Sequence, residues 1–504
     1  MNPTYEKYKE LLSRLADVQY AQALLNWDQE TYMPKAGADQ RAQQISTLSG
    51  IAHNLSVSPE LEEVLLKLEN DNTLGEKEKR NIAQSLKNFR LSKKYTQVFV
   101  EEMSKAISEA FQSWQQAKEA NDFSLYAPAL KKLVALKREE CRIIGFKGHP
   151  YDAMLDQYEP EASTADLTVL FADVRTQLVD FVKQIAACPQ NEDSFMFKHY
   201  PADKQWHFGL DMLRQMGYDF DAGRQDLSSH PFTTNFGPKD VRVTTRIAED
   251  NFNEMTWSCI HEGGHALYEQ GLPVSEYGLP SGEYVSLGIH ESQSRLWENN
   301  VARNLPYWKC NLPALKGLFP ENLAGVTPEG FYKAINKVQP SLIRTNADEL
   351  TYHFHVLIRF EIEKALIEGS IEVNDLPLIW NAKYKEYLGL DVPSDALGVL
   401  QDIHWSHGSF GYFPTYSLGS FYAAQFYRKA QKEIPDLEAE IERGNMHPLL
   451  EWLRTHIHSK GKFYTAENLC INITGEKLNF KYFMEYARVK YGALYPLQTE
   501  SITR

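Results

Sequence analysis

Residues His261-Glu262-Gly263-Gly264-His265 form an H-E-x-x-H pattern. Two imidazoles four residues apart share one face of a helix and can reach a single divalent ion. Glu262 directly follows the first histidine, so it stands beside such an ion rather than on it, where a general base for water belongs. The chemistry implied is hydrolysis by metal-activated water. The surrounding segment reads as a helix: Asn251 with Glu254 three residues on resembles a capping pair, and Gly271 and Pro273 mark the stop. Phe252, Met255, Cys259 and Ala266 make a core stripe, and Trp257, His261, His265 and Tyr268 a second one. Between Met255 and Tyr268 the only formally charged residue is Glu262. Burying one carboxylate and two histidines calls for compensation, which a cation supplies directly; two satisfied core histidines are the alternative. Each mid-helix glycine costs about 1 kcal/mol relative to alanine, and close approach of a substrate or a neighbouring helix would explain keeping both.

A catalytic zinc takes three protein ligands and keeps one position open. Glycine and proline at Gly271, Pro273, Gly278, Pro280 and Gly282 predict a loop, after which helical spacing resumes from Tyr284. If the two helices run antiparallel, His265 lies about 7 Å before that loop and Glu291 about 10 Å after it, so the two side chains are level. Glu291 is the expected third ligand. His290 competes locally but points about 100° away on the same helix, and a solvated surface glutamate is the alternative for Glu291.

The elements that must position these groups are mostly helical. Residues 59 to about 144 read as several amphipathic helices, with Leu61, Val64, Leu65 and Leu68 at helical spacing, and a further tract covers about 165 to 187. The convincing strand signal lies between Phe232 and Arg246, where the alternating run from Asp240 follows the turn-like Gly237-Pro238. The fold class is therefore mostly α with a small β element. Across 504 residues, 53 basic against 67 acidic side chains give a net charge of −14, which opposes a nucleic-acid partner because neutralising phosphates needs a basic face. There is no uncharged apolar run of about 18 residues to span a bilayer, and charges from the first residues onward argue against a secretory signal. The five cysteines are scattered without a C-x-x-C pair, which fits reduced thiols in a cytoplasmic protein.

Taken together, the segments resemble the carboxypeptidase Taq family of H-E-x-x-H zinc metallocarboxypeptidases. The resemblance rests on Trp27-Asp28 with Met33-Pro34, His230-Pro231-Phe232, Asp240 to Thr244, His261 to His265, and His290 to Arg295. Further on it rests on Ile343 to Asp348, Gly398 to Trp405, and Gly411 to Tyr416. It implies a large, mostly helical peptidase with a deep central groove and its small β element near the active site. The whole of 1–504 would be one metallopeptidase unit, with 1–200 the helical half covering the groove and 201–504 the half carrying the metal site. It also implies His261, His265 and Glu291 as ligands of one Zn2+ per chain (Co2+ also supporting activity), Glu262 as the catalytic residue, and a homodimer. The substrates would be peptides shortened one C-terminal residue at a time, with broad specificity that disfavours a terminal proline. Glutamate-liganded zinc peptidases often place an aspartate four residues after the glutamate ligand, where this chain has Arg295, so the group orienting His261 is open.

Removing a C-terminal residue requires reading a free carboxylate, for which an arginine fork is suited. Arg344 is the first candidate, expected near the start of a helix from 342 to about 368, with Arg295 and Arg242 competing. The oxyanion needs a donor, and Tyr412, Tyr416 and His404 are the candidates; His230 is a candidate contact for a substrate carbonyl. The strand near Val241 could bind an extended peptide by main-chain pairing. Two other readings stand beside this one: an oligopeptidase or dipeptide-releasing carboxypeptidase with the same metal set, and a helical scaffold without catalysis.

Overall fold

In the computed structural model, which describes residues 2–497, the chain is mostly helical with one three-stranded sheet. It divides into two compact units, each assembled from three separated segments. One comprises Met1–Lys93, Asp193–Tyr332 and Gln425–Lys477, the other Lys94–Glu192, Lys333–Ala424 and Leu478–Arg504.

In the first unit, Pro3–Thr31 opens on an Asn2 cap whose side chain accepts from the Thr4 and Tyr5 amides. Its buried Tyr5, Tyr8, Leu11 and Leu12 pack with Leu61, Leu65, Leu68, Leu86 and Phe89 around one core. The sheet joins β1 (Gln225–Leu227), β2 (Thr233–Asn235) and β3 (Val241–Thr245) in the order β1-β3-β2. β1 runs parallel to β3 with Gln225 opposite Val243, and β2 antiparallel with Thr233 opposite the same valine. β1 was not expected from the sequence, because three residues are too few to show alternation. Its presence corrects one expectation: β3 is the central strand, so its main chain is already paired on both sides and has no edge to offer a peptide. Edges exist only at β1 and β2.

The centre of the second unit is the helix Tyr352–Glu368, buried on nearly every face. A helix apolar on most of its faces belongs inside a core, and four of its polar residues (His353, His355, Arg359, Glu363) are fully buried too. This helix starts later than expected. Arg344 lies in a separate 3-10 turn, Arg344–Asn346, because Asp348 interrupts: its carboxylate accepts from the amides of Gln339, Leu350 and Thr351 and from the Thr351 hydroxyl. Among the described residues no helix is long and apolar enough to cross a membrane, and all five cysteines are free.

Candidate metal centre

The helix Phe252–Gln270 carries the two histidines. Asn251 caps it, accepting from the Asn253 amide at 3.2 Å. Glu254 does not complete a capping box, for its carboxylate pairs with Arg246 at 2.6 Å. After Gly271 the chain crosses a loop with two 3-10 turns and enters a second helix, Leu287–Arg295, capped by Ser286 through the Ile289 amide. That start is three residues beyond Tyr284, since Ser286 is extended and supplies the cap.

Contacts between the two helices run in opposite senses along them, pairing His261 with Glu298, Gly264 with Ser294 and Tyr268 with Val285. The helices are therefore antiparallel. Both mid-helix glycines are explained by close packing. A Cβ on Gly264 would lie 2.7 Å from Ser294 Cα and 2.8 Å from the Gln293 carbonyl oxygen. On Gly263 it would meet Leu213 Cδ2 at 2.6 Å, on the helix Ala202–Met216. Gly264 thus lets the second helix reach the histidines, and Gly263 lets the third pack behind them.

This approach brings His261, His265 and Glu291 together, with one potential ligand atom from each lying within 4.8 Å of the others. Glu291 Oε2 is 3.6 Å from His261 Nε2 and 3.4 Å from His265 Nε2. Those spacings are long for a hydrogen bond. They suit two ligands of one tetrahedral ion, whose edge is about 3.3–3.4 Å for bonds of 2.0–2.1 Å. The Nδ1 atoms, which would otherwise compete as ligands, are engaged elsewhere. His261 Nδ1 donates to Glu298 at 2.9 Å, and His265 Nδ1 lies 3.1 Å from the His290 carbonyl oxygen. A His-His-carboxylate set with both Nε2 lone pairs turned inward is what a divalent cation requires. His290 falls outside this trio. It lies against His265 instead, Nδ1 to Nδ1 at 2.6 Å, and its Nε2 contacts Glu269 at 2.8 Å.

Electrostatics follow from burial. Desolvation raises the Glu262 carboxyl above its usual range, opposed by His261 and by the Thr233 hydroxyl. Thr233 Oγ1 stands 2.7 Å from Glu262 Oε2, so the sheet does sit at the site. Burial presses Glu291 upward as well, but Arg295, at 2.7 Å, and the two histidines outweigh it and hold the carboxyl low. His265 is pushed down to about 3, by burial first and then by His290, so its ring is neutral and able to ligate. Burial lowers His261 too, yet Glu291 and Glu298 together raise it; a bound cation would displace that proton.

His230 is exposed just before β2, its carbonyl accepting from Ser228. Arg242 is committed to Asp240 at 2.8 Å and stacks over Trp27 at 4.4 Å. Arg295 bridges Glu291 and Glu298. In the second unit Arg344 is buried, with Asp402 at 3.0 Å and the Tyr352 hydroxyl at 2.7 Å. Its Nη2 also faces Asp402 Oδ1 at 3.0 Å. Around it gather Tyr416, whose ring lies 5.0 Å from the guanidinium, and His404, 3.3 Å from the Tyr416 hydroxyl. Tyr412 contacts both of those rings, tilted against His404 and edge-on to Tyr416. Sequence reasoning missed Thr233 and Glu298. Glu298 carries a weak signal, being seven residues and so two helical turns past Glu291; Thr233 has none, since its partner is 29 positions away.

The chain matches the family model described as "Carboxypeptidase Taq (M32) metallopeptidase" over residues 7–491. It is 39% identical to "Carboxypeptidase 1" of Bacillus subtilis (strain 168), across 98% of this chain and 99% of that one. It is also 39% identical to "Thermostable carboxypeptidase 1" of Thermus thermophilus, across 97% and 99%. The solved M32 carboxypeptidase from Deinococcus radiodurans R1 superposes with a TM-score of 0.96 at 37% identity, covering 98% of this chain and all of that one.

Proposed function

The chain belongs to the carboxypeptidase Taq (M32) metallopeptidase family and is a metal-dependent carboxypeptidase acting on peptides, and we propose that it releases single residues from free C-termini. His261, His265 and Glu291 hold one zinc ion, which cobalt can replace, and Glu262 is the catalytic residue. The observation that carries this is the convergence of three ligand atoms within 4.8 Å on the helix pair that also buries Glu262. Matching over residues 7–491 supports reading the chain as one peptidase unit.

When bound, the ion supplies a water acidic enough to be deprotonated near neutral pH. Glu262, desolvated and steadied by Thr233, takes that proton and returns it to the leaving amine. Arg344 reads the substrate carboxylate through its guanidinium fork. Tyr412, Tyr416 and His404 are the donors for the developing oxyanion, and His230 contacts a substrate carbonyl. Support for these assignments is the gathering of Arg344 with the three aromatic donors. Burial first, then the Arg344 charge, lowers His404 to about 3, so it would act as a neutral donor. Broad specificity disfavouring a terminal proline, a homodimer, and the cytoplasm as location complete the reading; the free cysteines fit the last.

The test is to incubate zinc-loaded protein with an unblocked peptide and follow the products by mass. A ladder losing one residue per step, abolished by a C-terminal amide, is expected. Internal fragments would indicate an oligopeptidase, and steps of two residues a dipeptide-releasing enzyme.

A further inference from the structure

Immediately after the second helix, residues Leu296–Ala302 wind as a π-helix, every one of them buried. Such wide turns are rare and concentrate at functional sites. This one carries Glu298, which is the hub of a closed ring of contacts. His261 Nδ1 lies 2.9 Å from Glu298 Oε2. Arg295 joins that same oxygen, at 3.2 Å, to Glu291 Oε1, at 2.7 Å. Arg303 reaches the other Glu298 oxygen at 3.1 Å and is itself clamped over the Trp257 ring at 3.7 Å. Trp257 stands one helical turn before His261, so the ring returns to the histidine helix.

The position four residues past Glu291 is an arginine, which cannot accept a proton from an imidazole. The acceptor comes instead from seven residues on. Taking His261 and Glu291 as ligands, as above, we propose that Glu298 is the positioning residue of the metal centre: it accepts the His261 Nδ1 proton, fixing the tautomer and the ring orientation that leave Nε2 free for the ion. Arg295 couples it to Glu291, so one ligand from each helix is set by a single shared guanidinium. Carboxylate partners of ligating histidines commonly contribute 10–100-fold to metal affinity, and Glu298 has the geometry for that full effect.

The experiment is a zinc titration of the full-length apoprotein against a chromogenic chelator, for the wild type, Glu298→Gln and Glu298→Asp. Melting temperatures of the apo forms serve as the control for folding. Visible spectra of the Co2+-loaded proteins read the ligand geometry. Glu298→Gln should keep an apo melting temperature near the wild type's, bind zinc roughly 10–100-fold more weakly and show altered cobalt bands. Glu298→Asp, which keeps the charge and the acceptor, should recover part of the affinity. Unchanged zinc affinity in a folded Glu298→Gln overturns the role. If Glu298→Gln does not fold, Glu298→Asp decides, and wild-type affinity with wild-type cobalt bands in that variant overturns it. A wild type that binds no zinc defeats the ligand assignment itself, an outcome distinct from a wild type and variants that bind alike.

Discussion

The Thr233 hydroxyl, on an edge strand, lies 2.7 Å from Oε2 of Glu262 on the histidine helix. This contact ties the small sheet to the proton-handling carboxylate and limits the orientations that Glu262 can adopt. A hydrogen bond to a charged group contributes about 1.5–3 kcal/mol. Thr233→Val, which keeps the shape, should therefore lower kcat roughly 10-fold or more, with little change in KM. Thr233→Ser should recover most of the loss. Steady-state kinetics on an unblocked peptide check this; equal kcat for the valine variant would remove the contact from the mechanism.

The two glycines of the motif should respond differently to alanine. At Gly264 the added methyl meets backbone of the second helix, which has nowhere to retreat; at Gly263 it meets the end of the Leu213 side chain. Gly264→Ala should force the ligand helices apart, costing about 1–3 kcal/mol and most of the bound zinc. Gly263→Ala should lose some stability and keep its metal. Zinc content after dialysis, read beside the melting temperature, distinguishes the two.

Burial raises Glu363, in the second unit, to about 7. Its carboxylate accepts from Tyr151, Trp405 and the Gly411 amide, so it anchors the start of the segment bearing Tyr412 and Tyr416. Because the folded value lies above the ordinary 4.3 or so, the folded state holds its proton where the unfolded state has lost it. Stability from this group is complete below about 4.3 and is lost as pH rises towards 7. Glu363→Gln cannot titrate. The melting temperature of the variant relative to the wild type should therefore climb between pH 5 and pH 7.5. A difference that stays constant over that range would contradict the buried titration.

Much of the site was legible in the sequence because its chemistry is local. The H-E-x-x-H spacing, the glycine- and proline-rich loop and the position of Glu291 depend only on helical rise and a reversal of direction, and the fold brings the three side chains together. What was not legible depends on distant or irregular structure. β1 is too short to show a period. The π-helical winding that brings Glu298 to His261 leaves no pattern of apolar residues, and Thr233 meets Glu262 only through the sheet packing on the helix. Arg344 was expected near the start of a helix from 342 to about 368, yet Asp348 accepts from the amides of Leu350 and Thr351 and the helix begins only at Tyr352. Arg242 and Arg295 competed in the sequence as readers of the substrate carboxylate; in the fold both are matched to carboxylates of this chain.

The most direct test of metal-dependent catalysis through Glu262 compares the wild type and Glu262→Gln, measured for zinc content and peptide turnover in the same preparations. The prediction is one zinc per chain in both proteins, single-residue release by the wild type, and a fall of about 10²–10⁴ in kcat for the variant. Turnover by Glu262→Gln at the wild-type rate, or a wild type that hydrolyses peptides at full rate without bound metal, would contradict it.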